Sequence, residues 1–451
     1  MDVRDRPVCF GDALHLLRKR TGTTQEQLAA LSAVSVRAIR DLELGRASRP
    51  RRETVRLLAD ALRLDPSSRA LLESSAGRPA EDTTLRQLYE EGAAAPPVPI
   101  GPITGRRTDT DVVCEALGTE RLVSLVGLAG VGKTRLALAV AERVRADGAA
   151  AVVWLSGHGA PGADRPGHPE HSDRAGQPHD VLRPWILDRL SGAGPVDDLA
   201  ALIGDRRTLL VVDAHESSRV LREPLLRLLD HCPGLRVLTT TREPLLLRDA
   251  RTVPVRPLSL TAVGGSGSGD EHPPAVALLL SRLRYCRPVL EPTEATVEAA
   301  ALLCGVLDGI PLALELAAAW FPVYSPQQLV PIARESPLDL LEPVFGAEGE
   351  AGTDLRGSVR QSVAGLRPSE SRLLRALALH TGALPLDLAA ERLGMAPAET
   401  RRAAHLLVLR GLAAQECTAD GGAALTVLNL VRSVLLAAPA PREPLPAASR
   451  R

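Results

Sequence analysis

The chain has 451 residues, 45% of them hydrophobic and 24% charged, and its 54 Lys+Arg balance 54 Asp+Glu. That composition excludes a disordered, fibrous or collagen-like chain and leaves room for roughly three globular domains. No apolar run is long enough to span a bilayer, Met1–Phe10 is too charged for a secretory leader, and the six cysteines show no C-x-x-C pair, so a reduced, cytoplasmic, non-membrane protein is expected.

Residues 1–72 carry a positive excess, 13 Lys/Arg against 8 Asp/Glu over the first 63 positions. Apolar spacing predicts short helices over Phe10–Arg20, Gln25–Leu31, from Ser35 to near Gly45, and over Thr54–Leu62, with Thr23/Thr24 capping the second. The third helix turns Val36, Ile39 and Leu42 inward and exposes Arg37 and Arg40, one turn apart. Guanidinium forks at that spacing suit guanine edges and phosphates in a major groove. Gln25 and Ser35 stand where a backbone phosphate is within reach. The competing reading is a small protein-interaction domain with a solvated basic face. The segment Thr24-Gln25-Glu26-Gln27-Leu28-Ala29, followed by Val34–Gly45 and Thr54–Leu62, resembles the phage-repressor-like (XRE) helix-turn-helix family, and the resemblance implies binding to double-stranded DNA, commonly as a dimer.

Residues 73–103 shift to Ser, Gly, Pro and Ala and read as a linker stiffened by prolines. Beyond them lies Gly127-Leu128-Ala129-Gly130-Val131-Gly132-Lys133-Thr134, a complete G-x-x-x-x-G-K-[ST] phosphate loop between an apolar run, Leu122–Val126, and a helical stretch, Thr134–Val144. Lys133 and Lys19 are the two lysines among the 54 Lys+Arg, so arginine is the default cation here and lysine is kept where a compact ammonium must enter between β- and γ-phosphate oxygens. Backbone N–H groups at the helix start cradle the anion, and the Thr134 hydroxyl is a magnesium ligand.

Strand-like runs at Ala151–Leu155, Thr208–Asp213 and Leu235–Thr240 alternate with helical stretches at Val181–Leu190 and Ser217–Asp230, which predicts a parallel sheet covered on both faces. Ser156–His179, rich in Gly, Pro and His without metal spacing, reads as a surface insertion. Leu209-Leu210-Val211-Val212-Asp213 is a buried strand ending in a carboxylate that would hold Mg²⁺ opposite Thr134. Ala214 follows Asp213, so a second acid is missing there; Glu216 is either a substitute water-positioning base or an exposed helix-start residue. Arg242, in Thr241-Arg242-Glu243-Pro244-Leu245, can reach a γ-phosphate from the sheet's carboxyl edge.

The order Ile103-Thr104-Gly105-Arg106, phosphate loop, Leu209–Asp213, Thr241–Leu245 and Gly309-Ile310-Pro311-Leu312-Ala313-Leu314 resembles the NB-ARC-type regulators among the signal-transduction ATPases with numerous domains (STAND). Ala275–Leu280 and Leu428-Asn429-Leu430-Val431-Arg432 are also similar. The resemblance implies ATP and ADP as ligands, Pro311 on the adenine side and Arg242 as a sensor of the terminal phosphate. It divides the chain into an all-α helix-turn-helix domain (1–72), the linker, an α/β P-loop NTPase with a parallel sheet (104–260), an α-helical domain (261–340), a winged helix (355–437) and a disordered tail (438–451). Relatives carry a histidine near Leu428-Asn429 against the ADP β-phosphate; none stands here. They also continue into a sensor region, which in this chain is absent or supplied by a separate protein.

The expected function is an ATP/ADP-switched, DNA-binding transcription regulator whose nucleotide state controls homo-oligomerisation, with at most slow ATPase activity. The alternative is a defence or remodelling ATPase that uses its N-terminal module for recruitment.

Overall fold

The computed structural model describes residues 10–43, 50, 52–64, 68–69, 72, 96–98, 101–148, 150–156, 186–187, 189–190, 196–213, 218–247, 249–261, 272–288, 292–342, 354–417 and 422–437. The chain divides into two compact units, Met1–Ala93 and Ala94–Arg451. Most of the expected linker, nearly all of the Ser156–His179 insertion, the tail and Glu216 lie outside the described residues, as does Val181–Leu190 apart from helical Ile186, Leu187, Arg189 and Leu190.

In the first unit α1 (Phe10–Arg20), α2 (Gln25–Ser32), α3 (Val36–Glu43) and α4 (Arg52–Ala61) close around Leu14, Leu17, Leu28, Ile39, Leu42 and Leu58. Thr24 starts α2 by a reciprocal cap: its hydroxyl accepts from Gln27 N at 3.1 Å, and Gln27 Oε1 accepts from Thr24 N at 2.9 Å. Ala33 takes a left-handed conformation (φ 54°) in the short turn to α3.

The second unit opens with α5 (Arg107–Thr119), β1 (Leu122–Val126), α6 (Lys133–Ala146) and β2 (Ala151–Ser156). It continues with α7 (Val196–Ile203), β3 (Thr208–Asp213), α8 (Ser218–His231), β4 (Leu235–Thr241) and β5 (Ala250–Pro254). All five strands are parallel, in the order β2-β3-β4-β1-β5. The uniformly buried β1 and β3 are the continuous apolar runs that a sheet covered on both faces requires. Strand β5 was not expected from the sequence: Ala-Arg-Thr-Val-Pro has no apolar run and forms a half-exposed edge, where a terminal proline costs no ladder bond. Helix α7 was not expected either. It offers only Leu199, Leu202 and Ile203 to the interior, too short a pattern to stand out.

Helices α9 (Pro274–Cys286), α10 (Glu294–Val306), α11 (Pro311–Ala318) and α12 (Pro326–Glu335) follow. Then come α13 (Leu355–Ala364), α14 (Pro368–Leu379), β6 (Leu384–Pro385), α15 (Leu386–Leu393), α16 (Pro397–Leu409), β7 (Ala413–Cys417), β8 (Ala423–Val427) and α17 (Asn429–Ala437). The last three strands form a small antiparallel sheet, β6-β8-β7. One continuous apolar core runs from Leu128 of the phosphate loop through α9–α12 into this terminal segment. The molecule is thus a helical N-terminal unit followed by a parallel α/β core and a largely helical C-terminal region. Among the described residues no helix is long and apolar enough to cross a membrane, and Cys114, Cys232, Cys286 and Cys304 are free thiols.

Candidate functional site

The carboxyl ends of β1, β3 and β4 set the site. Strand β1 runs into Gly127–Gly132, and α6 begins at Lys133, so the first orphan amides of that helix face the loop's concavity. Gly130 has φ 76°, and a Cβ there would stand 2.8 Å from the Leu312 side chain. The loop is therefore pressed against the start of α11, where Leu312 N donates to Gly130 O at 3.1 Å. Pro311, at the first turn of α11, lies over Gly132.

Lys133 Nζ donates to the carbonyls of Gly127 and Leu128, both at 2.9 Å. Burial, then the positive charge of Arg242, lower its pKa to about 8, with Asp213 pulling the other way. Two cations in one buried cleft are an arrangement that a polyphosphate relieves. Asp213, 5% exposed, accepts from Thr134 Oγ1 (2.9 Å to Oδ1, 3.2 Å to Oδ2) and from the Thr240 hydroxyl. The β3–β4 register places Asp213 opposite Thr240. Thr134 and Asp213 thus converge as the oxygen donors that Mg²⁺ prefers.

Lys133, Thr134 and Thr240 border a cavity of about 600 Å³, whose lining also includes Arg242, Pro311 and Ser358. Arg242 reaches out of β4 in two directions at once. It lines this cavity, and it donates to Gln361 Oε1 (2.6 Å) and Ser358 Oγ (3.4 Å) on α13. The next residue, Glu243, stands 3.8 Å from Arg410, which is also 3.6 Å from the buried Glu370. Beside Arg410, the backbone of Gly411 lies so close to the phosphate loop that a Cβ there would be 3.1 Å from Leu128 N.

Sequence reasoning gave several of these residues no role of their own. Arg106, 6% exposed, donates to Val131 O (2.8 Å) and Arg256 O (2.7 Å) and so holds the phosphate loop to the segment after β5. Ser358, Gln361 and Arg410 come from a segment more than a hundred residues away, and no local pattern marks them. Asp308, at φ 56°, accepts from Asn429 N and Leu430 N at 2.9 Å each and caps α17. Burial lifts its pKa to about 6 against those bonds and the nearby Arg432. Asn429, near which relatives of the resembled family carry a histidine, instead sends its amide to Gly305 O at 3.2 Å.

In the N-terminal unit the sequence-chosen residues divide. Arg37 and Arg40 project from α3, with the Arg37 side chain 93% exposed and 3.9 Å from Asp41. Ser35 instead caps α3, accepting from Ala38 N at 3.2 Å. Gln25, expected to meet a phosphate, donates its amide to Glu43 at 2.6 Å. Glu43 also accepts from Arg18 (2.6 and 2.9 Å) and lies 3.2 Å from His15 Nδ1. Burial alone would raise the Glu43 pKa, but the bonds from Arg18, Gln25 and His15 outweigh it and hold the carboxyl below its ordinary range.

Residues 10–72 match the family model of a helix-turn-helix domain. An uncharacterized protein of Mycobacterium tuberculosis is 31% identical over 297 residues, which is 63% of this chain and 66% of that protein. A second protein of the same organism, whose name assigns it provisionally to the HTH-type transcriptional regulators, is 34% identical over 277 residues, 61% of this chain and 28% of its own length. The chain therefore spans just under two thirds of the first relative and much less of the second. Among solved structures, a Walker-type ATPase of Pyrococcus abyssi is similar at 17% identity and a TM-score of 0.41, covering 74% of this chain and 96% of that one.

Proposed function

We propose that this chain is an ATP/ADP-switched, DNA-binding transcription regulator of the STAND class, with an NB-ARC-type nucleotide module behind a phage-repressor-like helix-turn-helix. The observation that carries this reading is Arg242, one guanidinium that lines the Lys133 cavity while bonding Gln361 and Ser358 of α13. A terminal phosphate competes for that guanidinium, because its charge-assisted bonds are stronger than those of a neutral amide and a hydroxyl. Segment 355–437, taken as the winged helix, also meets the phosphate loop through Gly411, so its seating depends on what the loop holds.

In this reading the amides of Gly127–Thr134 and the Lys133 ammonium hold the phosphates, and Pro311 borders the nucleoside. Thr134 and Asp213 would hold Mg²⁺, which would supply positive charge to the phosphate chain. With alanine after Asp213, hydrolysis is slow and serves as a timer; Glu216 is the candidate water-positioning base. Releasing segment 355–437 permits self-association, which multiplies the weak DNA affinity of single N-terminal readers by raising effective concentration. Arg37 and Arg40 make the base and phosphate contacts. Ser35 orders their helix, and Gln25 reaches a phosphate only by leaving Glu43.

The test compares operator affinity and particle mass with ADP and with a non-hydrolysable ATP analogue, each with Mg²⁺. The switch predicts larger particles and tighter DNA binding with the ATP analogue; equal mass and equal affinity sink it.

A further inference from the structure

The cavity has a second end that the phosphate chemistry does not use. Helix α11 starts over the phosphate loop at Pro311, and Glu315 comes one turn later, about 6 Å farther along the axis. Glu315 is the one carboxylate among the described residues lining the cavity, whose other charged lining groups are Arg106, Lys133, Arg135, Arg242 and Arg282. An acid is misplaced in a cleft made for polyanions unless it faces a neutral part of the ligand.

Its orientation is set by a partner. Arg282, one turn beyond Leu278 on α9, donates to Glu315 Oε1 at 2.5 Å, and both side chains remain partly exposed to the cavity mouth (44% and 40%). A single donor on one oxygen leaves the carboxylate acceptor capacity for a ligand hydroxyl. The same cavity is also lined by the apolar side chains of Ile103, Leu258, Leu278 and Leu312. The wall carrying Ile103 is fastened to α6, because Arg135 donates to the carbonyls of Gly101 (3.0 Å) and Pro102 (3.1 Å). Phosphate cradle, carboxylate and apolar side chains thus line one cavity, the three kinds of surface that the phosphate, sugar and base of a nucleotide call for.

We propose that Glu315, steered by Arg282, accepts a hydrogen bond from a ribose hydroxyl, so that the site selects ribonucleotides over their deoxy counterparts. A carboxylate reading a ribose hydroxyl is a recurrent solution in dinucleotide-binding folds. This inference rests on the nucleotide reading above and deepens it by naming the sugar.

The experiment is calorimetry on the full chain with Mg²⁺, titrating ATP, 2′-deoxy-ATP, 3′-deoxy-ATP and tripolyphosphate, and repeating the three nucleotides with Glu315→Gln. The wild type binds ATP more tightly than at least one deoxy form by on the order of tenfold, the range expected when a hydrogen bond to a charged group is lost. In Glu315→Gln that ratio falls towards one while the melting temperature stays within a few degrees of wild type. Glu315→Asp, which keeps the charge on a shorter stem, retains an intermediate ratio and covers the case in which the amide variant fails to fold. Equal wild-type affinity for ATP and both deoxy forms overturns the sugar assignment alone, and so does a ratio unchanged by Glu315→Gln. Binding of neither ATP nor tripolyphosphate overturns the nucleotide reading and the sugar assignment with it.

Discussion

The Glu43 cluster and the Lys133 cleft are both knots of charge drawn out of water, and they are satisfied in opposite ways. Glu43 has the opposite charge of Arg18 against it and hydrogen bonds from Gln25 and His15 beside it, and its pKa falls. Lys133 has two main-chain carbonyls and a like-charged neighbour, Arg242, and its pKa falls as well, which for a lysine means the charge is disfavoured. The first cluster is complete within the fold and is a structural joint between α1, α2 and α3. In the second the ammonium is disfavoured by burial and by Arg242 and only partly supported by Asp213, a perturbation of the kind that clusters at functional sites.

Removing the central group of each knot should separate them. Lys133→Ala is expected to lower ATP affinity by at least ~100-fold, on the order of 3 kcal/mol for a buried charge-assisted contact, with little loss of thermal stability. Calorimetry beside a thermal melt reads both, and a large drop in melting temperature would make Lys133 a structural group like Glu43. Arg18→Ala, by contrast, strands the 4%-exposed Glu43 carboxylate and should destabilise the N-terminal unit by about 2–3 kcal/mol while leaving ATP affinity untouched. Denaturant titration of the full chain would show it as an earlier first transition.

Arg37→Ala tests the exposed face of that unit. Operator affinity should fall by about 1–2 kcal/mol and, if Arg37 meets a phosphate, the salt slope should shrink by about one, with nucleotide binding unchanged. A pH dependence tests the cleft without any substitution. The Lys133 pKa lies near 8 in the folded chain against 10.5 for an ordinary lysine, so between those values the unfolded chain binds more protons and stability rises with pH. Over the same window the free cleft loses its ammonium, so ATP affinity should decline by up to about tenfold per pH unit above 8 and binding should take up protons. A flat affinity profile from pH 7 to 10 would remove Lys133 from the contact.

The strand–loop–helix around Lys133 was legible because a phosphate loop is local: its glycines, lysine and threonine are consecutive, and a buried parallel strand writes itself as an apolar run. The limits of β1, β3 and the helix from Phe10 to Arg20 could be read to the residue for that reason. Strand β5 could not, since edge strands need no apolar run, and neither could the fate of Gln25, whose partner Glu43 lies eighteen positions on.

Local pattern thus marked a complete phosphate-loop motif between a strand and a helix, and two exposed arginines on α3. Only folding decided which distant groups meet in and around the cleft: Arg242 reaching Ser358 and Gln361, Arg410 between Glu243 and Glu370, Asp308 capping α17, and Glu315 in the cavity's lining. Those contacts join residues from tens to well over a hundred positions apart through one or two bonds each. A periodicity records which face of an element is buried, but it carries no address for the side chain waiting on the other side.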